Sequence, residues 1–325
     1  MPSSRSRSKT PVKRSASTSA PRSKSKPAKA TKAIERPKKF GFRTIIAVFG
    51  SAPMLVLLTY TPWRAYMDGL LKFPDILISD TIACSQWHRS VYTTGISMAA
   101  LSSCVIYSEL IRAMKSRIEE LPKSTKVDPV LVMALDQFLF TVLAGVVPNL
   151  LILISFMFIE DADEYGNIQI PKGEELIQWL LHVVAATLAF MGLGICAFLY
   201  AYHIGPKALS LGIESALDVK TRMICAIGIA VTVIFGAPIR AMHIYHSRDT
   251  WAFPLLMVEV ISLSFGVCAN VFGSVGMMME LDATHPKVSF RNLTLKTWWI
   301  TLVKPMVTLT PFYGHEVLKD SKKKK

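Results

Sequence analysis

The sequence predicts an all-α, polytopic transmembrane bundle of six helices. The chain is 51% hydrophobic and only 18% charged, whereas ordinary soluble domains carry about 25% charged residues. Apolar runs of roughly 20 residues can cross a hydrocarbon core of about 30 Å as helices, and helices are expected because lipid cannot satisfy open backbone groups. The six runs are residues 43–61, 91–111, 137–159, 179–202, 223–239 and 253–279.

The positive charges predict how the chain is threaded. Of the 37 lysines and arginines, 31 lie in the two terminal segments and in the second and fourth connections between spans. The other three connections share six. Basic segments stay in the cytosol, so six spans place the N- and C-termini there. The acidic connection 160–178 fits the luminal side.

A basic tail, residues 1–42, precedes the predicted transmembrane domain, residues 43–282. The tail is rich in Ser, Lys, Arg, Pro and Ala and has too little apolar surface to fold, so it is expected to be disordered. Its charge could set the topology and contact anionic lipid, with or without control by serine phosphorylation, or it could bind nucleic acid. Nucleic acid is the less favoured partner because no aromatic residues interleave with the charges.

A second cytosolic tail is predicted for residues 283–325. Its apolar stretch 297–313 contains Lys304 and two prolines, so it is expected to lie at the membrane interface and not to form a seventh span. Lys322 and Lys323 match the dilysine signal that returns membrane proteins to the endoplasmic reticulum through coat machinery. They predict an endoplasmic reticulum or Golgi membrane. The sequon at Asn292 should remain unglycosylated in the cytosol.

Four ionisable residues are the candidate site, and all fall toward the predicted luminal side: Asp80, His182, Arg240 and Glu259. Ionisable groups at membrane depth are costly and often functional. They could lock the bundle as buried ion pairs, or bind a lipid headgroup in which Arg240 holds a phosphate. Acid–base catalysis by His182 and Glu259 is a third reading.

The sequence indicates little further chemistry. No nucleophile is evident, which leaves enzymatic activity open, and no soluble-enzyme motif is present. No cofactor is predicted, and no metal, because His243 and His246 lack further ligands at suitable spacing. Glu109 and Asp136 are interpreted as ordinary charges at cytosolic helix ends that reach into water.

Four stretches of the predicted transmembrane domain together resemble a known family. They are ISDT before the second span, HVVAATLAFMGLGICAFLYAY in the fourth, KTRMICAIGIAV at the start of the fifth, and IRAMHIYHSRDTWAFPLLMVEVISLSF, which leads into the sixth. Over roughly residues 43–282 the chain resembles the FRAG/DRAM/SFK superfamily of six-span membrane proteins. This superfamily includes the DRAM autophagy modulators and the post-GPI-attachment factors.

The same stretches contain features of both branches. Ile82 stands where DRAM proteins have Gly, and Ser85-Gln86 where they have Pro-Glu. Gln86 and the spacing from Arg240 to Tyr245 are closer to the post-GPI-attachment branch, which lacks the Ser-Asp-Thr.

The resemblance and the terminal lysines imply a protein of the secretory pathway that assists lipid remodelling of GPI anchors. Its partners would be membrane lipid and GPI-anchored proteins, and acyl transfer is an open activity. One alternative is a DRAM-like regulator of autophagy in the lysosomal or endosomal membrane, without enzymatic activity. Another is a nuclear-envelope protein whose tail binds nucleic acid. In the first reading, the segment 74–89 forms a luminal lip over the bundle, with a turn at Asp80 and Thr81.

Overall fold

The structure is a computed structural model that describes residues 37–71, 77–156, 172–246 and 248–285. Every regular element in these ranges is helical. The elements are α1 (Phe42–Phe49), α2 (Ala52–Met67), α3 (Ile78–Ala83), α4 (Gln86–Glu119), α5 (Pro129–Phe140), π1 (Thr141–Val146), α6 (Val147–Ser155), α7 (Glu174–Phe198), π2 (Leu199–Ile204), α8 (Gly205–Leu211), α9 (Ala216–Tyr245), α10 (Arg248–Val271) and α11 (Val275–Thr284).

Six helical segments of the described chain are long and apolar enough to cross a membrane, which confirms the predicted fold class. They are Phe42–Met67, Gln86–Glu119, Pro129–Ser155, Glu174–Leu211, Ala216–Tyr245 and Thr250–Thr284. Each is longer than its apolar run. The second, with 34 residues, is about 51 Å long at 1.5 Å per residue. Its polar ends therefore extend beyond a hydrocarbon core of about 30 Å.

Several predictions concern residues outside the described ranges. These are the disorder of the basic tail over residues 1–36, the interfacial position of residues 297–313, the sequon at Asn292, and the retrieval signal at Lys322 and Lys323. All of them stay predictions. Of the acidic connection 160–178, only residues 172–178 are described.

The chain enters and leaves the bundle on the same side. The backbone N–H of Lys39 donates to the carbonyl of Met279 at 3.0 Å, and the N–H of Arg43 donates to the Asp282 carboxylate at 3.2 Å. This agrees with an even number of crossings. We call this side the Arg43 end and the opposite side the Arg240 end. That the Arg43 end faces the cytosol is a prediction from the positive charges.

The third and fourth spans each contain a wider π-helical turn followed by a proline. Pro148 follows π1 and Pro206 follows π2. A proline inside a helix has no N–H to donate, and its ring clashes with the carbonyl four residues earlier. Widening the preceding turn relieves that clash and lets each span continue. Such turns often occur at functional sites.

The helices pack closely where small residues permit it. A Cβ added to Gly50, between α1 and α2, would lie 1.8 Å from the hydroxyl oxygen of Ser102 in α4. Spans one and two therefore approach more closely there than any other residue would allow. α9 packs against α7 and α10, so one of its faces points toward the interior of the bundle.

Candidate functional site, a cavity inside the helix bundle

A cavity of ≈ 360 Å³ lies inside the bundle, and all six spans contribute to its wall. One face of α9 follows the cavity along its length. The lining residues recur at helical spacing: Arg222, Ala226, Ile229, Val233, Gly236 and Arg240. Arg222 and Arg240 are 18 residues apart, which is about five turns and about 27 Å of helix. The same helical face therefore carries an arginine toward each end of the bundle.

Small side chains help to form the cavity and the close packing beside it. Ala226, Gly236 and Ala237 on α9 all line the wall. A Cβ added to Gly236 would lie 2.9 Å from Val258 of α10, so this glycine permits a close approach of the two helices. Gly266 of α10 also lines the cavity, and a Cβ added there would meet nothing within 4 Å. The wall at Gly266 is thus open to a larger side chain.

The Arg240 end contains three of the four residues that the sequence predicts as a site. His182, Arg240 and Glu259 all line the cavity. The Nδ1 atom of His182 lies 2.9 Å from the carbonyl oxygen of Phe156. Because that oxygen can only accept, Nδ1 carries the proton and Nε2 is the basic nitrogen. A guanidinium, an imidazole and a carboxylate from α9, α7 and α10 are therefore brought together around one cavity.

Each of the other two charged groups at this end is held by a neighbour. The Nη1 atom of Arg240 lies 3.2 Å from Nδ1 of His243, one turn further along α9. The carboxylate of Glu259 accepts the backbone N–H of Ile78 at 3.3 Å. Glu259 thereby ties α10 to the start of α3.

Asp80 is placed differently from the prediction. Its side chain is buried, and its carboxylate accepts the backbone N–H of Leu77 at 3.4 Å, at the start of α3. It is not among the residues that line the cavity. Asp80 therefore caps α3, and it is Ile78 and Ile82 of that helix that reach the cavity wall.

The predicted turn at Asp80 and Thr81 is the six-residue helix α3 in the structure. The Asp80 carboxylate stabilises a helical start at Leu77, where a turn motif was expected.

The position of Asp80 in α3 also affects the reactivity of Cys84, which directly follows this helix. Burial, and secondly the negative charge of Asp80, raise the pKa of the Cys84 thiol to about 11. Cys84 is therefore a poor nucleophile at neutral pH.

The Arg43 end contains buried ion pairs that sequence reasoning missed. Arg43 Nε donates to Glu109 at 2.8 Å, Arg117 to Glu280 at 2.6 Å, and Arg222 to Glu214 at 2.6 Å. The three arginines are 1–8% exposed. The paired residues come from segments up to 163 positions apart.

Glu109 corrects one interpretation. It is only 14% exposed and accepts hydrogen bonds from both Arg43 and Arg112. It therefore belongs to a partly buried network that includes the buried Arg43, and it is more than an ordinary charge at a helix end. Asp136, by contrast, is 45% exposed and pairs with Lys115, as expected for a charge at a helix end. The arginines near the ends of these spans were a usable signal. The acidic partners of Arg43 and Arg117 lie 66 and 163 positions away along the chain, too far to be identified, whereas Glu214 is only 8 positions from Arg222.

Comparisons with protein-family models, with curated proteins and with solved structures find no match to this chain. The resemblance to the FRAG/DRAM/SFK superfamily stays a prediction from short motifs. Among the described residues, no group of three or more His, Cys, Asp or Glu side chains is arranged to hold a metal ion. The structure does show the broad class. The part of the chain that the structure describes is helical and contains six segments suited to crossing a membrane.

Proposed function

We propose that this chain is a membrane protein of the secretory pathway that holds a lipid in its cavity, with the lipid headgroup at the Arg240 end. The observation that carries the proposal is the composition of the cavity wall. The wall is mostly apolar along its length, and Arg240, His182 and Glu259 are grouped toward one end. Ligand sites of this kind combine a hydrophobic wall with a few placed polar groups.

The charges at the Arg240 end favour a particular kind of headgroup. Arg240 offers N–H donors in a planar fork that suits a phosphate. Glu259 offers an acceptor for a hydroxyl or amino group of the same headgroup. A headgroup with both a phosphate and hydrogen-bond donors fits this pair better than one with a phosphate alone. The phosphoinositol glycan of a GPI lipid has both features.

The proposal is one of binding and presentation. Support for GPI-anchor remodelling comes from the fit of such a headgroup, from the sequence resemblance, and from the terminal lysines that predict an early secretory membrane. His182 is the group at this end suited to proton transfer, which leaves acyl transfer as a further activity to be measured. In that case the lipid would supply the ester and the reacting hydroxyl.

Replacing Arg240 by Gln tests the lipid site. We expect the full-length protein, purified in a mild detergent, to retain about tenfold less phospholipid, since hydrogen bonds to charged groups contribute about 1.5–3 kcal/mol. Native mass spectrometry of the purified protein measures the retained lipid. The matched control is Arg64→Gln, an arginine of α2 with a 49% exposed side chain. Equal lipid retention in both variants and the unchanged protein would refute the headgroup site.

The GPI role is tested in cells that lack the chain. We expect GPI-anchored proteins of these cells to carry an altered set of acyl chains, and re-expression of the unchanged chain, but not of Arg240→Gln, to restore the normal set. Lipid analysis of the anchors is the measurement. Normal anchors in the deficient cells would exclude this role while leaving the lipid site itself standing.

A further inference from the structure

The Arg222 end of the cavity contains two buried polar groups that the proposed headgroup site does not use. Arg222 and Tyr200 both line the cavity and are 2% and 3% exposed. Within the described ranges of the chain, the Nη1 atom of Arg222 and the hydroxyl of Tyr200 have no hydrogen-bond partner. Buried polar atoms without a partner are rare and costly. Two of them beside one cavity point to a ligand.

The two groups are adjacent. The guanidinium carbon of Arg222 lies 5.2 Å from the centre of the Tyr200 ring, within the range of a cation–π contact. The rings of Phe138 and Tyr200 are 6.1 Å apart, and those of Tyr107 and Phe138 are 5.2 Å apart. All of these residues line the cavity. A small polar spot is thus set in an aromatic and aliphatic wall.

The charge of Arg222 is already matched within the protein. Its Nη2 atom donates to both carboxylate oxygens of Glu214 at 2.6 Å. Asp218, one turn before Arg222 on α9, is also buried. An anion placed here would meet two acidic side chains and only one arginine. An uncharged oxygen would meet no such repulsion and could still accept a hydrogen bond from Nη1.

We propose that the Arg222 end of the cavity binds the uncharged oxygen of an apolar molecule, a hydroxyl or an ester carbonyl. That oxygen accepts a hydrogen bond from Arg222 Nη1, and the Tyr200 hydroxyl forms a second bond to it. The apolar body of the ligand lies against the aliphatic wall of the cavity. The site lies about 27 Å along α9 from Arg240 and does not depend on the headgroup site.

The local structure provides a matched pair of tyrosines for the test. Both Tyr200 and Tyr202 belong to π2. Tyr200 is buried at the cavity, whereas Tyr202 is 67% exposed and stacks on Phe198. Replacing Tyr200 by Phe removes the hydroxyl and keeps the ring beside Arg222. The same change at Tyr202 removes a hydroxyl that the site does not use.

The experiment measures binding of three probes of equal chain length, hexadecan-1-ol, hexadecane and hexadecanoate, to the purified full-length protein in one detergent. We expect the alcohol to bind about three- to tenfold more tightly than the alkane, as one or two hydrogen bonds allow. We expect hexadecanoate to bind less tightly than the alcohol. Tyr200→Phe should reduce the preference for the alcohol over the alkane by about two- to threefold, because Arg222 Nη1 still donates to the oxygen, and Tyr202→Phe should change nothing.

Three results would overturn the proposal. Equal binding of alcohol and alkane by the unchanged protein would mean that these polar groups bind only water. Tightest binding of hexadecanoate would mean an anion site. Equal losses for all three probes in Tyr200→Phe would mean that the hydroxyl has a structural role. If a variant fails to fold, comparing the binding of the three probes to the unchanged protein still tests whether the cavity prefers an uncharged oxygen. Arg240→Gln should leave the preference for the alcohol intact, which separates this site from the headgroup site.

Discussion

Buried arginines at the Arg43 end hold together parts of the chain that are distant in sequence. Arg43 joins α1 to Glu109 of α4 and to Asp282 of α11. Arg117 of α4 donates to Glu280 of α11 and to the carbonyl of Ile213. Desolvating a charge is expensive, and the attraction within such a pair offsets that cost only while both partners are present. These pairs therefore specify which helices are neighbours.

Removing one partner of the Arg117–Glu280 pair should destabilise the bundle strongly. We expect Arg117→Gln to lower the free energy of unfolding by about 3–5 kcal/mol, because Glu280 would be left buried without its counter-charge. The double variant Arg117→Met with Glu280→Leu should regain most of the loss. Denaturant unfolding of the protein in detergent measures both. Arg64→Gln is the control and should change the free energy of unfolding little, because Arg64 and its partner Asp68 are 49% and 35% exposed and exposed pairs contribute little. An equal loss for Arg64 and Arg117 would contradict this account.

At the scale of elements, the two π-helical segments and the inner face of α9 together shape the cavity. Val142 and Val146 of π1 and Tyr200 of π2 line it. The wider turn that precedes Pro206 is thus the turn that includes Tyr200. α9 has small residues between Arg222 and Arg240. The same helix therefore provides an arginine toward each end of the cavity, and its small residues leave room for the cavity between them. Its outer face carries exposed apolar side chains such as Ile224, Ile234 and Phe235, as lipid contact requires.

Filling the cavity from α10 should expel the lipid without unfolding the protein. In Gly266→Leu the new side chain has room, because a Cβ at this position meets nothing within 4 Å. Losing a glycine from a helix interior also favours the helix by about 0.5–1 kcal/mol. We expect markedly less retained lipid by native mass spectrometry and an unchanged or higher thermal unfolding temperature. Gly266→Ala, which adds one methyl group, is the control and should retain lipid. Normal lipid retention in Gly266→Leu would show that lipid does not occupy this cavity.

At the scale of the whole molecule, the six segments and the surface agree on a membrane environment. Aromatic side chains at the Arg240 end are exposed, among them Tyr60, Trp63 and Trp87. Such rings are enriched at membrane interfaces. Residues 39–43 and 279–285 meet at the Arg43 end. The described chain therefore begins and ends on one side of the bundle.

The orientation of the molecule is the prediction that belongs to this scale. We expect tags fused at each terminus to be digested when protease is added to sealed microsomes, because basic segments remain in the cytosol. A sequon introduced within residues 160–171 should be glycosylated, and the one at Asn292 should not. Protection of either terminal tag from the protease, or sugar on Asn292, would contradict the prediction that both termini lie in the cytosol. It would also remove the basis for a retrieval signal at Lys322 and Lys323.

Much of the fold and part of the site were predictable from the sequence. In the hydrocarbon core of a membrane, each span must form its backbone hydrogen bonds within its own helix and must be apolar over about 20 residues. Both properties can be recognised within a single segment of sequence. For the same reason His182, Arg240 and Glu259 were identifiable, since an ionisable group in such a segment is conspicuous. Asp80 was harder to place, because a carboxylate that accepts a backbone N–H at the start of a short helix has the same sequence pattern as one in a turn. In the structure it accepts from Leu77 and does not line the cavity.

The amino-acid sequence by itself determined the fold class, an all-helical chain whose described part contains six segments long and apolar enough to cross a membrane, and it located charged groups within those segments. Only the tertiary structure decided which charges pair and which face a cavity. Glu109 looked like an ordinary helix-end charge until Arg43, 66 positions away, was placed beside it. Arg222 and Tyr200 became a site only when π2 and α9 were packed side by side. The physical reason is that the apolar pattern of a span constrains its length and its burial, whereas pairing depends on the rotation and neighbours of every helix.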